Sequence, residues 1–509
     1  MSRDVRAVRS GAVACLAALV LALLTQAAGA DEYRYKVVWA TYVGGSEYEQ
    51  LREVIPYPDG SVLVGGQTSS PDLAVTPGAV QARYAGEPAG TGHGGIYGGD
   101  CFLMHLSADG RKVLACTYFG GSKQERNVYG MGLDRGGNVV IASATRSPDL
   151  PTTEGAFQRT YGGPPSDWMV AKLSADLKRL LWCTYVGGSG DDFPRGGLAV
   201  DNDDNVYVVG GTASPNFPTT PGVFQRERKG VRDAAVVKLK ADGSGLVFST
   251  LLGGGDWDGL MGVRVDPSGN FHVAGHTRSA DFPVTPGAPQ PGYAGKSVCF
   301  MTGFSADASR LVYSTYLGGA ENEFAEHRPA LAPDGSVLLT GVTASPDFPT
   351  TPGALQRGLK GETDGFLARL SKDGRRLVFS TLLGGSDGEF FLMPTFDARG
   401  NILICGTSRS ADFPVTPGAL QQTFAGTSGK WDGDGVVAIL SPDGARLLYS
   451  TYLGGKGADL IRSLAVGPKG EIWLVGSTSS PDFPVTRGAH QTKMGGASDA
   501  FVVKLVPVQ

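Results

Sequence analysis

The chain has 509 residues, 76 of them glycine and 31 proline, with 41% hydrophobic and 18% charged residues. That apolar share is enough for a packed core and argues against wholesale disorder. A formal charge of −4 with no basic cluster argues against nucleic acid as a partner.

In chain order, the first element reads as a processing signal. Arg3, Arg6 and Arg9 precede the apolar run "GAVACLAALVLALL" (11–24), and "AGA" (28–30) is a small-residue cleavage site. Residues 1–30 are therefore expected to be removed. That leaves an exported chain, periplasmic or at the cell surface, with 42 basic and 48 acidic residues. No later segment is expected to span a membrane as a helix. Five cysteines remain, Cys101, Cys116, Cys183, Cys299 and Cys405, and an odd number cannot pair completely within one exported chain. No C-x-x-C spacing occurs, so no zinc site is expected. Cys116 and Cys183 stand where other repeats have Ala40 or Ser, which predicts small buried thiols. Cys101 and Cys116 are also candidates to meet across one hairpin as a disulfide.

From residue 35 onward one unit is written seven times. "TYVGG" (41–45) returns in variants beginning at 117, 184, 250, 315, 381 and 451, at spacings of 76, 67, 66, 65, 66 and 70 residues. The third unit shows the pattern. "GLAVD" (197–201) is a β-rich strand a, "DNDDN" a turn, and "VYVVGG" (206–211) strand b. A longer connection leads to "AAVVKL" (234–239), strand c; "KADGS" turns the chain into "LVFSTLL" (246–252), strand d. No helical period appears. The chain is expected to be all-β: one seven-bladed β-propeller of four-stranded antiparallel blades over residues 31–509. The blades fall at about 50–119, 127–186, 194–252, 260–317, 327–383, 391–453 and 461–507. The last unit lacks a d strand, and residues 35–43 supply a lone one, so the N-terminal strand is expected to complete the last blade.

"YSTYLGG" (449–455), "VYVVGG", "SPDFPTTPGALQ" (345–356) and "DAFVVKL" (499–505) resemble the SBBP bacterial β-propeller repeat family. The resemblance covers nearly the whole chain beyond the signal, and it implies a propeller in an exported bacterial protein. It carries no catalytic residue set.

Antiparallel strands put the tight a–b and c–d turns on one face and the longer d–a and b–c connections on the other. In the b–c loop, Ser345 and Asp347 are expected to bond backbone N–H groups and Phe348 to plug a blade junction. Thr351-Pro352 reads as the start of one helical turn. In the d–a loop, the residue five on from the first Gly is always acidic: Glu49, Glu125, Asp192, Asp258, Glu323, Glu389 and Asp459. These carboxylates either accept hydrogen bonds that tie the blades, or form an acidic ring for a cation or cationic ligand. Longer insertions in the first and sixth blades bring Tyr84, His93, Tyr97 and Trp431 to the long-loop face, and Trp257 lies in a d–a loop there. Aromatic rings on Gly-rich loops suit sugar or peptide faces.

The function expected from these residues is a non-catalytic binding or surface-interaction scaffold. It would be a monomer that takes a protein or glycan ligand on the long-loop face, with no cofactor and no metal. The alternative is an enzyme, a lyase or glycan-active hydrolase, with an asymmetric site at the channel mouth. Glu326, His327 and Arg328 are the nearest cluster for that role. His272 and His276 share one strand face without an evident third metal ligand.

Overall fold

The computed structural model describes residues 33–88, 99–427 and 433–508. The expected processing signal at 1–30 lies outside the described residues. Seven antiparallel sheets follow one another, each in the order a-b-c-d. The first runs Glu49–Pro56, Val62–Thr68, Asp100–Leu106 and Val113–Phe119. In the third and fifth blades strand a is split, into Asp192–Phe193 with Leu198–Val200 and Glu323–Phe324 with Ala330–Leu331. Pro194 and Pro329 fall within those breaks, where a missing N–H cannot continue a ladder. The seventh sheet is Asp459–Val466, Ile472–Thr478, Asp499–Pro507 and, as its outermost strand, Tyr35–Val43 from the other end of the chain.

Seven apolar clusters fill the spaces between neighbouring sheets, one per seam. Seven sheets in an open row would have six seams, so the ring is closed. The N-terminal strand serves two of them. Ala40 and Tyr42 enter the cluster between blades six and seven, and Trp39 and Val43 the one between seven and one. Its ladder with the last strand runs from Tyr35↔Pro507 to Val43↔Ala500.

The "GG" crossing from strand d to the next strand a exposes four consecutive backbone amides, and the repeat motifs satisfy all four. At the first crossing, the Gly44 N–H donates to Gln491 Oε1 (3.0 Å) and Gly45 to Glu49 (2.9 Å). Ser46 donates to Asp72 (2.9 Å) and Glu47 to Ser70 Oγ (2.8 Å). The same set returns at the fifth, where Gly318, Gly319, Ala320 and Glu321 donate to Gln290, Glu323, Asp347 and Ser345. Side chains so close leave no room for another: a Cβ on Gly44 would lie 2.6 Å from Glu49 Oε2, and one on Gly45 2.4 Å from Asp72 Oδ1. The invariant text therefore answers a backbone requirement.

The b–c loop departs from its expected place. It leaves the long-loop face and runs along the outer strand. Thr351 N–H donates to Ser380 C=O (2.9 Å), Ser380 N–H returns to Thr351 Oγ1 (2.9 Å), and Leu382 N–H donates to Gln356 C=O (3.0 Å). The expected helical turn is a β-turn instead. Ala354 N–H donates to Thr351 C=O, with Pro352 at the second position and Gly353 at φ +82° at the third. Phe348 is buried against Phe366, ring centroids 4.8 Å apart, as expected. The expected Cys101–Cys116 disulfide is also corrected. Cys101 lies opposite Phe119 and Cys116 opposite Met104, so the register keeps the two apart, and both are free and buried. Cys116 and Cys183 are buried thiols, as their slot implies.

Deleting residues 31–43 should bare the edge of Asp499–Pro507 and the apolar faces beside it. Size-exclusion chromatography should then show dimers or aggregates. A truncated protein that stays monomeric and melts with the full chain contradicts this.

Candidate binding site at the channel mouth

In six blades strand a begins at the long-loop face with the acidic residue singled out above; in the second, Glu125 bridges to Thr145 ahead of the strand Gly130–Leu133. All seven are at most 2% exposed. Their oxygens accept from the second Gly of the crossing and from a Thr or Ser ending strand b, as Glu389 does from Gly385 N–H (2.9 Å) and Ser408 Oγ (2.7 Å). The arrangement is that of a hydrogen-bonded tie at each seam. In six seams an Asp opening strand c stands on the other side of the first Gly; Asp100 and Glu125 flank Gly120 in this way. In the remaining seam that position is Val298. Burial, foremost, pushes Glu49 and Asp167 up to about 7 and Asp258 and Asp459 up to about 6. It also raises both members of the Asp100–Glu125 pair. Among the described residues no group of three or more His, Cys, Asp or Glu is arranged to hold a metal ion.

The next residues along strand a are not alike. One position past the acid the chain has Gln50, Arg126, Phe193, Gly259, Phe324, Phe390 and Leu460. Three positions past it has Arg52, Val128, Arg195, Met261, Glu326, Leu392 and Arg462. Side chains from these positions meet across the ring axis. Glu326 of blade five accepts from Arg52 of blade one (3.1 Å), Arg195 of blade three (3.0 Å) and Arg462 of blade seven (2.9 Å). Below it, Arg328 bonds both oxygens of Glu53 at 2.6 and 2.7 Å. Burial works against charge on Glu326, but the three guanidiniums outweigh it and hold the carboxyl well below its usual range. Burial, then Arg52, keeps His327 neutral. Burial also brings Arg264 down to about 9, with Arg328 adding to the effect. Removing one partner of such a buried cluster typically costs about 3–5 kcal/mol, because the opposite charges are stranded.

Two cavities open at this mouth and share Arg195. The smaller, about 230 Å³, lies across blades two to four and is lined by Arg126, Arg146, Arg195 and Arg232 with Phe193 and Trp257. The larger, about 760 Å³, lies across blades five to seven and is lined by Phe324, Phe390, Leu460, Arg409 and Arg462, with Glu326, Glu362 and Glu389. Trp257 thus stands at the mouth, as its loop implies. Its ring stacks on His276 (4.6 Å, 17°), which in turn meets Phe324 at 4.7 Å. Gly259 makes room for it: a Cβ there would lie 2.6 Å from the indole. Burial, then Arg195, holds His276 near 3, so it is neutral. His272 bonds Tyr313 instead (3.0 Å).

Tyr84 is placed elsewhere. Its ring packs edge-on to Tyr118 at 5.9 Å, beside the cluster between blades seven and one, and its hydroxyl donates to the Glu87 carbonyl. His93, Tyr97 and Trp431 lie outside the described residues. Glu326, His327 and Arg328 do come together in the channel, but as members of the ion network. Arg52, Arg195 and Arg462 and the phenylalanine pair Phe324–Phe390 (5.8 Å) were not singled out from sequence. The signal for them lay one and three residues beyond the acidic slot, where the repeats stop agreeing.

Residues 181–218 match the SBBP family model, described as a beta-propeller repeat. No curated protein matches this chain significantly. Among solved structures, this propeller is similar to BamB from Moraxella catarrhalis, at 11% identity and TM-score 0.38, covering 92% of this chain and 99% of that one. It is similar also to a protein of unknown function from Dyadobacter fermentans DSM 18053 (11%, TM-score 0.41, 93% and 99%). A third is the quinohemoprotein alcohol dehydrogenase from Comamonas testosteroni (13%, TM-score 0.37, 94% and 78%). At such scores these likenesses carry no argument about the site. Among the described residues no helix is long and apolar enough to cross a membrane.

The seam carboxyls set a pH dependence. Unfolded, they ionise near 4; folded, Glu49, Asp167, Asp258 and Asp459 hold protons up to about 6–7. The folded state therefore binds more protons across that window. Their contribution is complete below it and is lost as pH rises through it. Glu326 acts oppositely and weakens the fold only in acid, as do the buried, neutral His276 and His327, which take up protons on unfolding below about 6.5. The melting temperature should therefore be lower at pH 8 than at about pH 6.5, where the histidines no longer contribute; a rise across that interval contradicts the assignment.

Proposed function

We propose that this chain is a secreted, non-catalytic binding module, monomeric, that takes a protein or glycan ligand at the long-loop mouth of its channel. The observation that carries this reading is the asymmetry of the mouth. Seven-fold motifs maintain the ring, while Arg126, Phe193, Trp257, Phe324 and Phe390 break the pattern and line two adjoining cavities. Half-buried aromatic rings beside guanidiniums are the residue types enriched at recognition surfaces. The cluster that favours an enzyme is committed elsewhere: Glu326 is held ionised by three arginines and His327 is neutral and buried, so neither is a free acid or base. Export follows from the N-terminal signal pattern.

Glycan and peptide arrays probed with the chain from residue 31 test this. Binding of at least one class is expected. It should weaken tenfold or more in the Phe324→Ala/Phe390→Ala variant or in Phe193→Ala, and hold in Asp242→Ala on the tight-turn face. Binding to nothing, or binding indifferent to both mouth changes, contradicts it.

A further inference from the structure

We infer that the smaller cavity takes a sugar ring bearing a carboxylate. This rests on the binding reading above and names the ligand class.

Charge decides the first half. Four guanidiniums line the cavity, and they have too few anions. Arg232 pairs with Asp191. Arg195 shares Glu326 with Arg52 and Arg462, and its Nε is buried without a hydrogen-bond partner. Arg146 reaches the Pro165 carbonyl, at 3.3 Å. Arg126 lies over the Phe193 ring, 4.9 Å from its centroid. Among the described residues neither guanidinium has a carboxylate in an ion pair with it. Carboxylate is the planar, bidentate acceptor that such a guanidinium fork fits. The larger cavity lacks this surplus, because Arg409 pairs with Glu362 and Asp387 and Arg462 with Glu326.

Shape and polarity decide the second half. At about 230 Å³ the cavity suits one ring rather than a chain of residues. The Phe193 and Trp257 rings give it flat apolar walls, and the carboxylate of Asp191 and the hydroxyl of Ser166 give it acceptors. A pyranose with a carboxyl presents C–H faces, hydroxyls and an anion together, and so matches all three. A bare inorganic anion leaves the aromatic walls unused, and an acidic peptide strand exceeds the volume.

Isothermal titration calorimetry on the chain from residue 31 tests the inference with glucuronate and galacturonate against glucose, galactose, inorganic phosphate and an acidic peptide. A uronate should bind at least tenfold more tightly than its neutral sugar, with affinity falling as salt is added. Arg126→Gln and, independently, Arg146→Gln should each weaken it tenfold or more, while Arg135→Gln on the tight-turn face should not; unchanged melting curves would show that the variants fold. Equal binding of the neutral sugar or of phosphate, binding of the acidic peptide alone, or uronate affinity untouched by both arginine variants would overturn it. Array binding that persists without uronate binding would sink this inference and spare the binding reading. Blank arrays together with no uronate binding would sink both.

Discussion

Closure is the constraint on which the molecule depends. A four-stranded sheet in this chain is apolar on both faces, so it is stable only between two neighbours, and the first and last sheets must find each other. The ladder between Tyr35–Val43 and Asp499–Pro507 provides this. It places the residues most distant in sequence side by side, and it sends alternate side chains, Trp39 and Val43 against Ala40 and Tyr42, into two different seams. The outer edges that remain are covered by the b–c loop, whose Thr-x-Gly turn (Pro in the middle in five blades, Glu154 and Arg487 in the other two) hydrogen-bonds along strand d in every blade and leaves few free strand edges for other chains.

A ring made this way divides its residues between two tasks. The repeated Gln, Gly-Gly, acidic residue, Ser and Asp satisfy four adjacent amides at each crossing; they are buried or bonded and have little capacity left for a ligand. The inner strand carries no such obligation at the positions one and three past the acid. There the chain places four arginines and one glutamate with phenylalanines, and the glutamate, Glu326, gathers three blades around itself. The same ion cluster that fills the channel leaves guanidiniums in excess toward blades two to four. Scaffold and recognition thus differ in burial, in charge and in symmetry.

Most of the fold was legible in the sequence because repetition exposes it: blade number, strand order and the interlocked ends follow from spacing alone. The errors came where register or backbone angle decides. Cys101 and Cys116 share a hairpin but are out of register by enough to prevent pairing, and Thr351-Pro352-Gly353 reads as a helix start until the positive φ of Gly353 makes it a β-turn. The site was far less legible. Arg52 and Glu326 are 274 positions apart and meet only once the ring exists. Trp257 stands at the mouth because its d–a loop position was enough; Tyr84, from the first-blade insertion, instead packs half-buried against Tyr118 at the edge of a seam cluster.

The most direct measurement is of the interlocked ends. Lys36 and Val506 are cross-strand partners near the exposed end of the closing ladder. In the Lys36→Cys/Val506→Cys variant, mild oxidation should form a disulfide within one chain, seen as the loss of two hydrogens in the intact mass of a monomer, and should raise the melting temperature. Two thiols that stay free under oxidation, or that cross-link only between chains, would contradict a ring closed by its own N-terminal strand.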